Sequence, residues 1–321
     1  MPGPEDDIAV LADVSNPEPA ETPARADRPL NGILCIVASA ALQAGADGAT
    51  KFLALSMPVN ETAWFRYATT VLVVFCVLLS TGRLRSGLRS NRPGIQLTRG
   101  IVQVLSGLFF LFALRAAPIV DVTATIFSAP LMVTAFSIVL LGERVGLPRW
   151  SAAIVGLIGV LIVMRPGSSV FNAALLWAVA AALLYALVLI ITRKIGSHDN
   201  SATTMAYSSM IGLCVLTIIL PFDWVVPTWT QLGIAIAVGF VYAAAHWLVI
   251  IGYRSADASL LAPYSYFQLV FVAAVGIVVF QELPDIWTVA GIGIIIASGF
   301  YNAQQERSRR ASLQRAAKAV L

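Results

Sequence analysis

Charged residues are scarce in this chain. They make up 12% of its 321 residues, about half the share found in soluble proteins, whereas 58% of the residues are hydrophobic. A soluble domain could not cover its surface with so few charges, so the sequence predicts a protein embedded in a lipid bilayer. The pI is near 9.1, but the basic residues lie in short segments between apolar runs and predict no nucleic-acid partner.

Cysteine and histidine are also rare, with three and two residues. Cys35, Cys76 and Cys214 stand singly in apolar runs without CxxC spacing, which indicates packing rather than a metal site or a disulfide. The chain has no HExxH motif and no Walker sequence. We therefore expect no enzyme activity, no metal, no cofactor and no drive by ATP.

Long apolar runs fill most of the chain after Pro29, and their number fits about ten transmembrane helices. The predicted spans are Leu30–Leu53, Glu61–Ser80, Ile95–Leu114, Ile119–Leu141, Arg149–Met164, Phe171–Thr192, Ser201–Leu220, Gln231–Tyr253, Ala258–Phe280 and Pro284–Ala303. The expected fold class is an all-α integral membrane protein.

The chain contains an internal duplication. An offset of 139 residues carries Leu114 onto Tyr253 and Glu143 onto Glu282, and after a loss of two residues Trp150 matches Trp287. We predict two five-helix repeats, at residues 30–164 and 171–303. Because five is odd, the second repeat must cross the membrane in the opposite sense, as in many secondary transporters.

The basic residues predict the orientation. If both ends of the chain lie inside, 17 Lys and Arg residues fall in inner segments and 3 in outer ones, which places both termini in the cytoplasm of a bacterium and the spans in its inner membrane. Residues 1–29, with six prolines and seven carboxylates, are expected to be a disordered cytoplasmic tail. Residues 304–321 are expected to be a basic cytoplasmic tail.

An ordered set of short motifs resembles a known family. The motifs are Trp64-Phe65-Arg66-Tyr67, Ala113-Leu114-Arg115-Ala116-Ala117, Ser128-Ala129-Pro130 and Leu141-Gly142-Glu143-Arg144, followed by Trp150, Gly156 and Gly159. Together they resemble the EamA unit of the drug/metabolite transporter superfamily. The second copy departs from the pattern, because Leu269 occupies the place of Pro130 and Pro263 is expected to kink the ninth span elsewhere.

The resemblance implies a carrier of small organic solutes. Within the family, the chain looks most similar to importers of riboflavin or S-adenosylmethionine, and exporters of amino acids or related metabolites are the alternative. Two hypotheses from other functional classes are a channel or scaffold and a membrane enzyme. The expected partners are a small-molecule solute and the lipid bilayer, with protons as a candidate coupling ion; the sequence leaves the oligomeric state open.

Charged residues inside predicted spans are functional candidates, because burying a charge in a membrane is costly. We hypothesise that Asp47 and Arg66 pair across the first two helices. The alternative is that Asp47 pairs with Lys51, one turn away, while the side chain of Arg66 extends to the interface. Outside the spans, or at their ends, the structural or gating candidates are Asp121, Glu143 and Glu282; Asp121 is expected to favour a helix N-terminus.

Uncharged polar residues near mid-membrane complete the set of candidates for substrate binding or coupling. They are Gln43, Gln103, Tyr242, His246, Tyr266 and Gln268. Amides and aromatic rings around a wet cavity suit a flat, partly apolar solute, although each can instead join two helices. His246 is also a candidate proton relay because histidine titrates near neutral pH, or else a structural residue. Gly156, Gly159, Gly291 and Gly293 predict close helix packing.

Overall fold

The computed structural model describes residues 29–82, 84–141, 146–169, 171–195, 199, 201–256 and 258–320. The predicted N-terminal tail lies outside this part of the chain, apart from Pro29, which begins the first helix. Glu143 lies outside it as well. Across the described residues the regular structure is entirely helical.

Ten long helical elements span the described residues. They are α1 (Pro29–Ser56), α2 (Val59–Ser80), α3 (Pro93–Ala116), α4 (Ile119–Ile126 and Ala129–Leu141), α5 (Leu147–Met164), α6 (Leu175–Ile195), α7 (Ser201–Ile219), α8 (Trp229–Ser255), α9 (Ala258–Leu261, a 3-10 segment Ala262–Tyr266, and Phe267–Phe280) and α10 (Ile286–Val320). Eight are long and apolar enough to cross a membrane, while the apolar parts of α5 and α10 are shorter. The predicted all-α membrane fold is confirmed, and the eight spans together with the two shorter apolar helices fit the predicted ten.

Local sequence signals set several helix starts. Pro58 and Pro118 directly precede α2 and α4, and Pro93 begins α3; a proline costs little there because the first turn has no intrahelical acceptor for its missing N–H. The start of α8 has a capping box, in which Thr228 Oγ1 accepts from the Gln231 N–H at 3.3 Å and Gln231 Oε1 accepts from the Thr228 N–H at 2.8 Å.

The two repeats pack on each other in inverted fashion. Helix α1 runs antiparallel to α8. Ser39, in the first half of α1, donates to Ala245 O at 2.9 Å, and Gln231, at the start of α8, donates to Ser56 O at the end of α1 at 3.1 Å. Helices α6 and α3 are the counterparts of α1 and α8 in the other repeat. They form the same antiparallel pair, in which Ser106 Oγ donates to Ala181 O at 2.9 Å. Each pair joins the first helix of one repeat to the third helix of the other, as an inverted repeat predicts.

Both fourth helices of the repeats are interrupted. In α4 the break is a turn at Phe127 and Ser128, and in α9 it is the 3-10 segment Ala262–Tyr266, which contains Pro263. Interrupted helices in corresponding positions of two repeats are typical of transporter cores, where they lie close to the binding site.

Two ends of the bundle differ in what closes them. We call the end where α1 begins, near Gly252, the terminal end, and the end where α1 finishes, near Glu282, the opposite end. Helix α10 starts at the opposite end and continues through the predicted C-terminal tail to Val320. That tail is therefore helical.

The glycines of α5 and α10 contribute unequally to packing. A Cβ added to Gly291 would lie 2.7 Å from Gly159 O, so these two helices approach backbone to backbone. Gly293, predicted to do the same, has open space at its Cβ position. Residues that are two positions apart on a helix point to different faces, which explains the difference between Gly291 and Gly293.

Candidate functional site

A cavity of about 550 Å³ runs from the middle of the bundle to the terminal end. Its deep part is formed by Arg66, Tyr67 and Tyr242, and its mouth by Thr192, Asp199 and Thr204. The remaining lining residues are Thr70, Arg99, Gln103, Met205, Ser208, Ser209, Ala243, His246 and Ile250. Four candidates from the sequence, Arg66, Gln103, Tyr242 and His246, thus face one cavity.

Asp47 lies behind the cavity at a junction of three helices. Its side chain is buried and accepts hydrogen bonds from Tyr242 Oη at 2.5 Å and from Gln268 Nε2 at 3.0 Å. The three residues belong to α1, α8 and α9, so the first repeat supplies the carboxylate and the second supplies both donors. Because Tyr242 also lines the cavity, the phenol connects the cavity to the buried carboxylate.

Arg66 and Asp47 do not form the direct ion pair that we hypothesised. The Arg66 guanidinium lies over the rings of Tyr67 and Tyr242, 5.7 and 5.9 Å from their centroids. The reason is that Tyr242 occupies the carboxylate with its own hydroxyl and presents its ring face to the cation. A cation over an aromatic face is favourable, particularly away from water.

The other two polar candidates serve different contacts. Gln43 Nε2 donates to Ser39 Oγ at 2.9 Å, one turn back on α1, where Ser39 connects α1 to α8. Tyr266 lies in the 3-10 segment of α9, and its ring packs 5.3 Å from that of Phe127 at the break in α4. The hydrogen bonds of Asp47 come from Tyr242 and Gln268 and not from either of these two residues.

Lys51 binds Glu282 rather than Asp47, and this contact closes the opposite end. Lys51 Nζ is 2.5 Å from Glu282 Oε1 and 2.9 Å from Ala117 O. Glu282 Oε2 also accepts from the Ile119 N–H at 3.0 Å, so a carboxylate of the second repeat caps a helix of the first. We call Lys51, Ala117, Ile119 and Glu282 the end lock.

Further polar contacts surround the end lock. Asp121, in the first turn of α4, accepts from Thr288 Oγ1 at 3.0 Å, and Arg165 pairs with Asp285. Asp285 caps α10 by accepting from the Thr288 N–H at 2.8 Å. Helices α1, α4, α5, α9 and α10 are thereby held together at this end, while the cavity is open at the other.

Arg99 is a cavity residue that the sequence analysis missed. It is one of the 17 basic residues assigned to the inner segments. It is also the fifth residue of the predicted third span, and it faces the same cavity as Gln103, one turn further along. The spacing of Arg99 and Gln103 was a signal that could have identified it.

These features define a polytopic membrane protein with an inverted repeat and a central cavity open at one end, which is the architecture of a secondary transporter. The EamA-like transporter family matches residues 30–165 and 172–302. The chain belongs to that family, and it is a transporter rather than an enzyme, as the sequence predicted.

The chain is similar to several proteins that are named as carriers. It is 25% identical over 283 residues to the S-adenosylmethionine uptake transporter of Rickettsia prowazekii, covering 88% of this chain and 96% of that protein. It is 28% identical over 295 residues to the riboflavin transporter of Vibrio cholerae serotype O1, with the same two shares. It is 23% identical over 270 residues to the pseudopaline exporter CntI of Pseudomonas aeruginosa, covering 83% and 93%.

A solved structure has the same fold. The crystal structure of a protein 20% identical to this chain superposes with a TM-score of 0.61, over 88% of this chain and 100% of that one. At this identity the likeness concerns the fold alone.

Proposed function

We propose that this protein is an importer that moves a small organic metabolite across the bacterial inner membrane by alternating access. The observation that carries the proposal is the asymmetry of the bundle: a cavity open at the terminal end and an end lock at the other. A site that faces one side while ion pairs hold the other side closed is one of the two states that alternating access requires.

The orientation follows from the basic residues. With 17 Lys and Arg residues in the segments on the side of the termini and 3 on the other, the terminal end faces the cytoplasm. The structure would then be the inward-facing state, and the end lock would be the outer gate. Release of Lys51 from Glu282 would be required before solute could reach the cavity from outside.

The substrate class rests on the relatives and on the cavity. Four S-adenosylmethionine uptake transporters and two riboflavin transporters are among the similar proteins, and both solutes contain a flat ring system. Tyr67 and Tyr242, with Arg66 between their rings, offer aromatic and cationic faces to such a ring. An exporter is the second candidate, because CntI exporters are also similar over most of the chain.

We further propose that protons drive uptake through Asp47. The carboxylate is buried, has two uncharged hydrogen-bond donors and lies one residue layer from the cavity. A change in its protonation would alter its hydrogen bond to Tyr242 and so the face that Tyr242 presents to the solute. Ionisable residues at membrane depth commonly serve such relays.

The test is transport by purified protein in proteoliposomes of known orientation. We expect saturable uptake of radiolabelled S-adenosylmethionine or riboflavin, with counterflow when the same unlabelled solute is inside. Arg66→Gln should abolish it, whereas Arg115→Gln, at an exposed position on α3, should not. Efflux without uptake would favour the exporter, and an unsaturable flux without counterflow would contradict a carrier altogether.

A further inference from the structure

Arg99, in the second turn of α3, has a charged side chain whose hydrogen-bond partners among the described residues are neutral. Its Nε donates to Thr192 Oγ1 at 2.7 Å, and its Nη1 donates to Ser208 Oγ. A guanidinium has five N–H donors and remains protonated. Among the described residues, no carboxylate is in hydrogen-bond contact with Arg99, although the guanidinium faces the cavity.

The two hydroxyl groups orient the guanidinium without neutralising it. Thr192 Oγ1 donates to Val188 O at 2.6 Å and Ser208 Oγ donates to Thr204 O at 2.7 Å. Each hydroxyl donates its proton to a backbone carbonyl of its own helix, so its oxygen lone pairs can accept hydrogen bonds from Arg99. A partly buried charge held in place in this way costs free energy until an anion joins it.

The carboxylates nearest the cavity are already engaged elsewhere. Asp199 at the mouth accepts from Ser90 Oγ at 2.5 Å, from the Asn91 N–H at 2.8 Å and from Gln96 Nε2 at 2.9 Å. Asp47 is behind Tyr242. Asp199 lines the same cavity as Arg66 and Arg99, but these hydrogen bonds join it to Ser90, Asn91 and Gln96 and not to either guanidinium. A solute carboxylate can therefore supply the anion that Arg99 lacks among the described residues.

We infer that the cavity binds a carboxylate of its solute at Arg99, while Thr192 and Ser208 hold the guanidinium in position. A guanidinium matches a carboxylate with two parallel hydrogen bonds, which adds direction as well as charge. This inference rests on the proposed transport function and adds the chemistry of the solute: a ring at Tyr67 and Tyr242, and a carboxylate nearer the mouth. S-adenosylmethionine has both groups, whereas riboflavin has no carboxylate.

The first experiment measures the charge preference of the cavity without any knowledge of the substrate. Met205→Cys, one turn from Ser208 on α7 and lining the cavity, is introduced after Cys35, Cys76 and Cys214 are replaced by Ala. Purified protein is treated with methanethiosulfonate reagents that bear either a sulfonate or a trimethylammonium group. The sulfonate reagent should react about tenfold faster than the other, after correction for their rates with free cysteine.

Variants assign this preference to Arg99. It should disappear in Arg99→Gln, persist in Arg99→Lys, which keeps the charge, and persist in the control Arg115→Gln. A cationic preference in the otherwise unaltered cavity would overturn the inference, and so would an anionic preference that survives in a folded Arg99→Gln. If Arg99→Gln does not fold, a cationic preference in the parent protein still overturns the inference, and an anionic one, to which Arg66 could also contribute, is decided by the comparison of solutes in Arg99→Lys below.

The second experiment compares solutes in the same preparations. S-adenosylmethionine should raise the melting temperature, and its decarboxylated analogue should not; in Arg99→Lys the shift should be smaller. Transport of riboflavin with no dependence on Arg99 would keep the proposed function and refute this inference. An Arg99-dependent anion preference without transport of either solute would refute the proposed substrates and keep the inference.

Discussion

The rings of Phe127 and Tyr266 lie 5.3 Å apart, inclined by 42°. The 139-residue offset of the duplication carries Phe127 onto Tyr266, so each residue contacts its own counterpart in the other repeat. Such a contact forms only beside the pseudo-two-fold axis. Both residues are also at helix breaks, Phe127 within α4 and Tyr266 within α9, so the two interrupted helices meet at the axis.

This contact should contribute measurably to stability. We expect the double variant Phe127→Ala/Tyr266→Ala to be less destabilised than the sum of the single variants, with a coupling of about 0.5–1.5 kcal/mol. Unfolding of the purified protein in detergent measures it. Tyr266→Phe, which keeps the ring, is the matched control and should retain the coupling. Strict additivity of the two alanine variants would show that the ring contact contributes nothing.

Loss of the ion pair in the end lock should shift the protein towards the state open at the opposite end. Lys51→Met keeps a long side chain at position 51 but removes the cation that pairs with Glu282. Glu282 still accepts from the Ile119 N–H in this variant. A cysteine at Val120, buried in the small cavity beside Glu282, should then react with a soluble thiol reagent about tenfold faster, as expected for a shift of about 1.4 kcal/mol. An unchanged rate would mean that the pair does not hold the gate.

Glu282 has a second role that Lys51 lacks, which separates two of its variants. Glu282→Gln removes the ion pair but keeps an oxygen for the Ile119 N–H, whereas Glu282→Ala removes both. We therefore expect Glu282→Ala to cost about 1 kcal/mol more in unfolding free energy than Glu282→Gln, the usual contribution of a helix cap. Equal stability of the two variants in thermal unfolding would contradict the capping role.

If Asp47 couples transport to protons, its neutral variant should separate net uptake from exchange. Asp47→Asn should lose the stimulation of uptake by an inward proton gradient and retain exchange of internal for external solute. Asp223→Asn, at an exposed site, should keep both. Uptake by Asp47→Asn that still responds fully to the gradient would rule out Asp47 as the coupling group.

Two glycines in α10 form a matched pair for testing helix packing. Gly291→Ala would place its methyl group 2.7 Å from the Gly159 carbonyl, and we expect a loss of about 1–3 kcal/mol from overpacking. Gly293→Ala meets open space and should be neutral or stabilising by up to about 1 kcal/mol. Melting temperatures of the two variants give the comparison, which a similar loss in both would contradict.

Much of the fold could be predicted because the membrane imposes it. A span must satisfy its own backbone hydrogen bonds, so runs such as Ile119–Leu141 had to be helical. The sequence also indicated an interruption near Pro263, although the break in α4 falls at Phe127 and Ser128, before Pro130. Helix propensity alone does not place such breaks, because neighbouring helices can satisfy the freed backbone groups.

The candidate site was harder to predict because its contacts join distant parts of the chain. Lys51 and Glu282 are 231 residues apart, and Asp47 and Tyr242 are 195 apart. Sequence reasoning could assign Asp47 a partner only among nearby charges, Lys51 or Arg66, since register between helices is set by side-chain packing. Arg99 was missed for a related reason: a basic residue near a helix end resembles an orientation signal until a cavity is seen beside it.

Helix α10 is continuous from Ile286 to Val320, and its apolar part ends near Asn302. The remaining stretch projects about 27 Å beyond it at the usual rise per residue. Because the helix extends so far, a small tilt of α10 against α5 produces a much larger displacement at the carboxyl-terminal end of the helix. A fluorophore attached there would move several times farther than the part of α10 within the bilayer. Its fluorescence would therefore report the motion of the second repeat.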